Sequence, residues 1–429
     1  MALATGPAAG GERTANMWWN FSTFGGDIAF FSLGLAISSV YTVLPLFVLH
    51  LTPDNLAVAA IPAIRSLGLF GPQLLAAPWV ERLRHAKPFI MVATIFERVP
   101  YLVLALGALL LAADHPGWLL ALFYAMLFIA LFAGGITYPA WLDMIARAIP
   151  GRWLGRFMGL WTGMGNFLGI GGAAIATAIL ARASWPGSFA LCFTLTGAAM
   201  AVSFVLLALG REPERLAVRM PTAKARERAT ARLGARELVA LVRGDAALPR
   251  LLAGNALVGI STMAAALFAV AAKRQGGLSD ADVGAQTTLL FAATTAGYFI
   301  WGAVGDRFGH RAIYAWGSLC AAASALLALG AHGFGAYAAV FLLLGLNVAA
   351  VNLAGFTLIT EYGPLERRPT YIALASVAYA PFVIGAPILG GFLADRFGYA
   401  PVFVLSALAA VAATWAFLLW VPAPPHAAR

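Results

Sequence analysis

The chain has 429 residues, of which 61% are hydrophobic and only 11% charged, with a formal net charge of +10. A soluble domain carries about a quarter charged residues, so a water-surrounded globule is excluded and lipid is the natural solvent for this much apolar surface. A nucleic-acid surface is excluded too, because Lys and Arg sit in short loops without aromatic interleaving on a folded domain.

Residues 1–20 read as a cytoplasmic tail, without the ordered n-region, h-region and cleavage site of a signal peptide. A spanning helix needs about 20 predominantly apolar residues. On that scale the chain is predicted to cross the bilayer twelve times, at 24–50, 56–80, 88–112, 117–146, 155–181, 186–210, 249–272, 282–304, 312–331, 334–361, 369–394 and 399–421. The expected fold class is an all-α integral membrane protein, with six-helix bundles at 21–210 and 249–421 and a short tail at 422–429. Between the bundles, residues 211–248 carry a run of arginines. Arg228, Arg232 and Arg236 recur every fourth residue, while Leu233, Leu238 and Leu241 can face the other way. That pattern suits an amphipathic helix on the inner leaflet or a solvated linker.

With the termini and alternate loops on one side, nearly every Lys and Arg falls on that side. The exceptions are Arg182, Lys273, Arg274 and Arg396 opposite, and Arg65 and Arg98 within spans. The positive-inside rule then places both termini in the cytoplasm. Arginine far outnumbers lysine and alanine is abundant, a composition of GC-rich bacterial genomes, so a bacterial inner membrane is expected. Cys192 and Cys320 lie in separate apolar runs, and the histidines form no HxxxH or HExxH pair. Neither a disulfide nor a metal site is expected. The chain also lacks a GxSxG elbow and a P-loop, so an enzyme, a cofactor and ATP as energy source are not expected.

Ionisable residues inside spans cost about 2.5–3.5 kcal/mol on insertion scales and are functional candidates by default. Asp27 lies early in the first span, Arg65 in the second, and Glu97 with Arg98 near the middle of the third. Neighbours on a helix point about 100° apart, so Glu97 and Arg98 cannot share one partner squarely. One arrangement pairs Glu97 with Arg65 as a structural brace and leaves Arg98 to another acceptor. In the other, Arg65 clamps an anionic substrate bidentately.

The halves repeat. Residues 302–311 read GAVGDRFGHR, and the corresponding loop of the first half reads AAPWVERLRHAKP, so Glu81-Arg82 stand where Asp306-Arg307 stand. The next loops on that side also correspond, each with an acid upstream, Asp143 and Glu361, and arginines downstream. Twelve spans, two six-span halves, a long basic central loop and GxxxDRxGxR resemble the major facilitator superfamily of secondary transporters. The resemblance implies that Gly302, Asp306, Arg307, Gly309 and Arg311 form an inner latch. In it, Asp306 faces the start of the fifth span and Arg307 pairs with Glu361. By the repeat, Glu81 faces the start of the eleventh span and Arg82 pairs with Asp143.

The resemblance also implies a cavity lined by the first span, where Asp27 begins a stripe with Phe31, Gly34, Ser38 and Tyr41 at helical spacing. Asp27 is thus a candidate proton carrier or a hydrated residue at the inner mouth. Tyr138, Asn255, Asn347 and Tyr379 are further lining candidates by the spans they belong to. The expected partners are a small-molecule substrate, a coupling proton and the lipid bilayer, with the protein a monomer. The thin charge inventory leans toward export of an amphipathic or apolar compound. Alternatives are uptake of a small organic anion, movement of a lipid or lysolipid, and a non-transporting receptor or assembly factor on the same fold.

Overall fold

The computed structural model describes residues 8–80, 85–213, 247–362 and 368–422, with residues 242 and 244 besides. Glu81, Arg82 and the stretch 228–241, where the interfacial helix is expected, lie outside the described residues.

The described elements are all helical. In chain order they are α1 Ala8–Ile37, α2 Val43–Leu51, α3 Asn55–Val80, α4 Lys87–Leu111, α5 Pro116–Ala148, α6 Gly151–Arg182 and α7 Gly187–Leu209. After the basic connection come α8 Leu248–Ser261, α9 Leu267–Arg274, α10 Asp280–Phe308, α11 His310–Leu329, α12 Gly333–Tyr362, α13 Arg368–Phe397 and α14 Tyr399–Trp415. Among the described residues, ten helical segments are long and apolar enough to cross a membrane, and Asn55–Leu69 is a shorter apolar helix.

The first span of each half is interrupted, which periodicity alone did not anticipate. Between α1 and α2 the hydroxyls of Ser38, Ser39 and Thr42 take partners other than the next helical turn. Ser38 Oγ bonds Thr196 Oγ1 at 2.7 Å, Ser39 Oγ accepts the Tyr41 N–H at 3.3 Å, and Thr42 pairs with Thr287. Between α8 and α9 a 3₁₀ turn covers Thr262–Ala264, and Ser261 and Thr262 donate back to the carbonyls of Val258 and Gly259 at 2.8 and 2.7 Å. Such local bonds compete with the helical ladder.

The chain forms two compact units. One contains Met1–Pro53, Ile64–Glu214 and Leu278–Ala292; the other contains Asp54–Ala63, Arg215–Gly277 and Ala293–Arg429. In the first, α1 packs on α6 and α7, and α4 packs on α5 and α7. Small residues let these backbones meet, as membrane helices require in the absence of a hydrophobic drive between them. A Cβ on Gly135 would stand 2.4 Å from the Gly68 carbonyl oxygen, and one on Gly172 2.9 Å from that of Leu33. In the second unit α11 packs on α12 and α14, and α8 on α13 and α14. Its core gathers Trp301, Tyr314, Tyr371 and Phe417, with the Tyr314 and Phe417 rings stacked at 4.9 Å.

Candidate functional site

Inside the first unit, α1, α4, α5 and α7 each contribute one polar side chain to a buried cluster. Arg98 of α4 is 7% exposed and Asp27 of α1 is 4% exposed. Arg98 Nη2 donates to Asp27 Oδ1 at 3.3 Å and to Ser203 Oγ of α7 at 3.0 Å. Ser203 Oγ in turn donates to Asp27 Oδ1 at 2.6 Å, and Trp141 Nε1 of α5 donates to Asp27 Oδ2 at 3.1 Å. The other guanidinium donors reach the Met200 carbonyl from Nε at 3.2 Å, and the Thr94 carbonyl and Glu97 Oε2 from Nη1 at 3.3 and 3.4 Å. All five N–H groups of a guanidinium are thereby used. The rings of Phe31 and Phe204 lie 5.6 and 5.8 Å from its central carbon, close enough for cation–π attraction.

Sequence reasoning named Asp27 and Arg98 together as intramembrane candidates but did not pair them, and it missed Ser203 and Trp141. Helix depth did not supply the pairing. Arg98, Trp141 and Ser203 lie roughly two to three turns from the same-side ends of their helices, whereas Asp27 lies roughly five turns from the start of α1. Glu97 packs against α5, where a Cβ on Gly134 would stand 2.8 Å from its Oε1. Its ion-pair partner among the described residues is Arg98, not Arg65. Arg65 is exposed and makes no hydrogen bond or ion pair among the described residues. The stripe Asp27, Phe31, Gly34 and Ser38 turns onto α7 rather than onto open space: Gly34 abuts Met200 and Thr196, and Ser38 bonds Thr196. Tyr41 is half-buried, and Tyr138 is exposed with its ring stacked on Trp141 at 6.2 Å.

In the second unit, Asp306 and Arg307 are exposed and form no ion pair among the described residues. Glu361 bonds His310 Nδ1 instead of Arg307, because α11 begins at His310 and carries the imidazole to the end of α12. Arg311 donates to the Val421 carbonyl at 2.6 Å. Gly309 holds a φ of +78° at the turn, and nothing lies within 4 Å of a Cβ built on Gly302. Asn255 is buried with its Oδ1 unpartnered among the described residues, Asn347 donates to the Gly317 carbonyl at 2.9 Å, and Tyr379 packs on Gly259. In the first unit Asp143 pairs with Arg147 at 3.1 Å, and Arg147 also reaches Glu212 at 2.9 Å.

Burial pushes the Glu212 carboxyl upward, but backbone N–H donors of Lys87 and Ala86 and the Arg147 guanidinium outweigh it and hold the group below the usual carboxylate range. Those two N–H groups belong to the N-cap and the first residue of α4, where a negative charge meets the helix dipole.

The family model of the Major Facilitator Superfamily matches residues 26–276 and, again, 251–429. The chain belongs to that superfamily. It is a multi-pass membrane transporter rather than an enzyme. Three solved superfamily-like structures share its fold. A D-xylose–proton symporter superposes with a TM-score of 0.70 at 15% identity, over 95% of this chain and 98% of the other. The nucleoside transporter NupG gives 0.69 at 11% identity, over 93% and 98%. A bacterial homolog of the human lysosomal transporter Spinster, inward-facing and occupied, gives 0.66 at 14% identity, over 95% and 96%. At these identities the likeness is one of fold. No curated protein matches the chain by sequence.

Proposed function

We propose that this transporter is proton-coupled, works by alternating access, and exports an amphipathic or apolar compound from a bacterial cytoplasm as a monomer, with Glu97 as the proton carrier. The observation that carries the reading is a charge count. Two carboxylates, the buried Asp27 and the half-buried Glu97, share one guanidinium, that of Arg98. With both acids ionised the cluster holds one uncompensated negative charge in a low-dielectric interior, which is costly. One proton makes it neutral. Asp27 accepts three hydrogen bonds, including one from the guanidinium, so both of its oxygens are engaged as acceptors. Glu97 has one hydrogen bond among the described residues, at 3.4 Å. The proton therefore belongs on Glu97, and releasing it changes the electrostatic cost of the conformation that holds the cluster. A ligand or proton shifts such an equilibrium only through differential affinity for the two states.

The proton named for the D-xylose symporter supports the coupling by analogy of fold. An apolar or amphipathic cargo is supported by the few charges within the spans and by the aromatic group of Trp18, Phe21, Trp153 and Trp161 in the first unit.

The test is dye transport in proteoliposomes with an imposed pH gradient and a panel of fluorescent amphipathic cations. Wild type moves dye in proportion to the gradient, and Glu97→Gln equilibrates it without responding to pH. Dye movement untouched by collapse of the gradient would overturn the coupling. A second reading, uptake of a small organic anion, is favoured by Arg65, whose guanidinium has no protein acceptor among the described residues. Thermal stabilisation by organic anions that disappears in Arg65→Gln would support it. Stabilisation by amphiphiles alone, unchanged in that variant, would reject it.

A further inference from the structure

The motif at residues 302–309, GAVGDRFG, has a second copy at 391–398, GFLADRFG. Both contain GxxxDRFG, and the two copies fold alike. Gly309 has φ and ψ of +78° and 167° and Gly398 of +77° and −176°, a positive-φ extended conformation that only glycine adopts without a Cβ penalty. The N–H of Gly309 donates to the Gly305 carbonyl at 2.8 Å, and that of Gly398 to the Ala394 carbonyl at 3.0 Å. Each glycine is followed at once by a new helix, α11 or α14. Because α11, α12 and α13 cross between them, the two copies stand at opposite membrane faces.

The copies differ in what they touch. At the second, Asp395 accepts the backbone N–H groups of Asn55 and Leu56, at 2.8 and 2.9 Å, and the Asn55 side-chain amide at 2.8 Å. Those N–H groups are the first of α3, so the carboxylate sits on the positive end of a 26-residue helix. Tyr399 and Arg274 both donate to Asn55 Oδ1, at 2.8 and 3.2 Å. Gly391 permits the approach: a Cβ there would lie 2.6 Å from that of Ala59 and 2.7 Å from the Leu56 Cα. At the first copy the equivalent Gly302 has nothing within 4 Å, and Asp306 is exposed.

We propose that the second GxxxDRFG is a latch, in which Asp395 holds the N-terminus of α3 against α13 and closes the membrane face opposite Asp306. The surrounding residues fix the geometry: Arg274 and Tyr399 hold Asn55 Oδ1, so that the Asn55 amide donates to the same Asp395 oxygen as the Asn55 backbone N–H. Opening breaks the Asp395 contacts with the helix end together with the Tyr399 and Arg274 hydrogen bonds to Asn55. The inference rests on the alternating-access part of the proposed function and not on its proton coupling.

The test is maleimide labelling of the purified full-length protein in detergent, with Cys192→Ala and Cys320→Ala as background. Ala59→Cys places a thiol at the α3–α13 contact, and Ala63→Cys, buried one turn further along α3, replaces it if the first variant fails to fold. Asp395→Ala is expected to speed labelling there by about three- to thirtyfold, the range of equilibrium shift that follows loss of a helix N-cap. Asp395→Asn, which keeps an acceptor without the charge, should fall between. A second reporter, Ala325→Cys in the core of α11, should keep its rate. An unchanged rate at Ala59, or equal acceleration at both reporters, would overturn the latch. The readout uses neither substrate nor proton gradient, so it stands even where the coupling fails.

Discussion

Replacing Arg98 by methionine removes the single cation of the buried cluster while keeping an unbranched side chain of comparable length. Asp27 then remains without its guanidinium in an interior where it is 4% exposed, and must take up a proton as Glu97 already has. Removing one partner of a buried ion pair costs about 3–5 kcal/mol, and that is the destabilisation expected for Arg98→Met. Asp27→Asn behaves differently: Arg98 keeps Glu97 as a counter-charge and keeps the Met200 and Thr94 carbonyls and Ser203. Its expected cost is about 1–3 kcal/mol, that of a charge-assisted hydrogen bond. The double variant should be less unstable than the sum of the singles by about 1–3 kcal/mol, because the residues share one network. Unfolding of the three variants in one detergent, by denaturant at pH 7, gives the cycle. A strictly additive double variant, or an Arg98→Met protein as stable as wild type, would refute the account of the cluster.

Glu212→Gln should cost about 1.5–3 kcal/mol at pH 7, since it removes a charged acceptor from two α4 N–H groups and Arg147. Because the folded-state value is held below the ordinary 4.5, this contribution is fully present above 4.5 and fades as the pH falls through the lower folded value. Wild type and variant should therefore converge in acid, and a gap in unfolding midpoint that widens instead would count against the assigned charge. Gly135→Ala must separate α3 from α5, since its Cβ meets backbone oxygen at 2.4 Å. A loss of about 1–3 kcal/mol is expected, and thermal melting at wild-type temperature would show the contact to be loose. Asp306→Asn is expected to raise accessibility at the face where α10 ends and to slow transport; labelling and transport rates both unchanged would remove Asp306 from any gate.

The spanning helices were legible in the sequence because apolar runs of bilayer length admit few other structures. The interruptions at residues 38–42 and 262–266 were not: at the first, hydroxyls take the tertiary partners Thr196 and Thr287, and at the second Ser261 and Thr262 bond carbonyls three residues back. Candidate charges were legible one at a time, as costly residues in apolar surroundings. Their pairing was not: Glu97 and Arg98 are neighbours and bond each other, and Arg98 reaches across to α1 and α7, a contact that depends on helix order in the bundle. The same limit applies to Glu361, where His310 outcompetes Arg307 because it stands at the first position of α11. The duplicated GxxxDRFG was plain in the letters, yet its second copy gains meaning only from the α3 helix end that Asp395 caps.

The central claim, a proton resident on Glu97, is tested most directly by infrared difference spectroscopy of the purified transporter as the pH is stepped. The account predicts a carbonyl stretch of a protonated carboxylic acid at neutral pH that shifts in frequency in Glu97→Asp and stays in place in Asp27→Glu. A band that stays in place in Glu97→Asp and shifts in Asp27→Glu would contradict it.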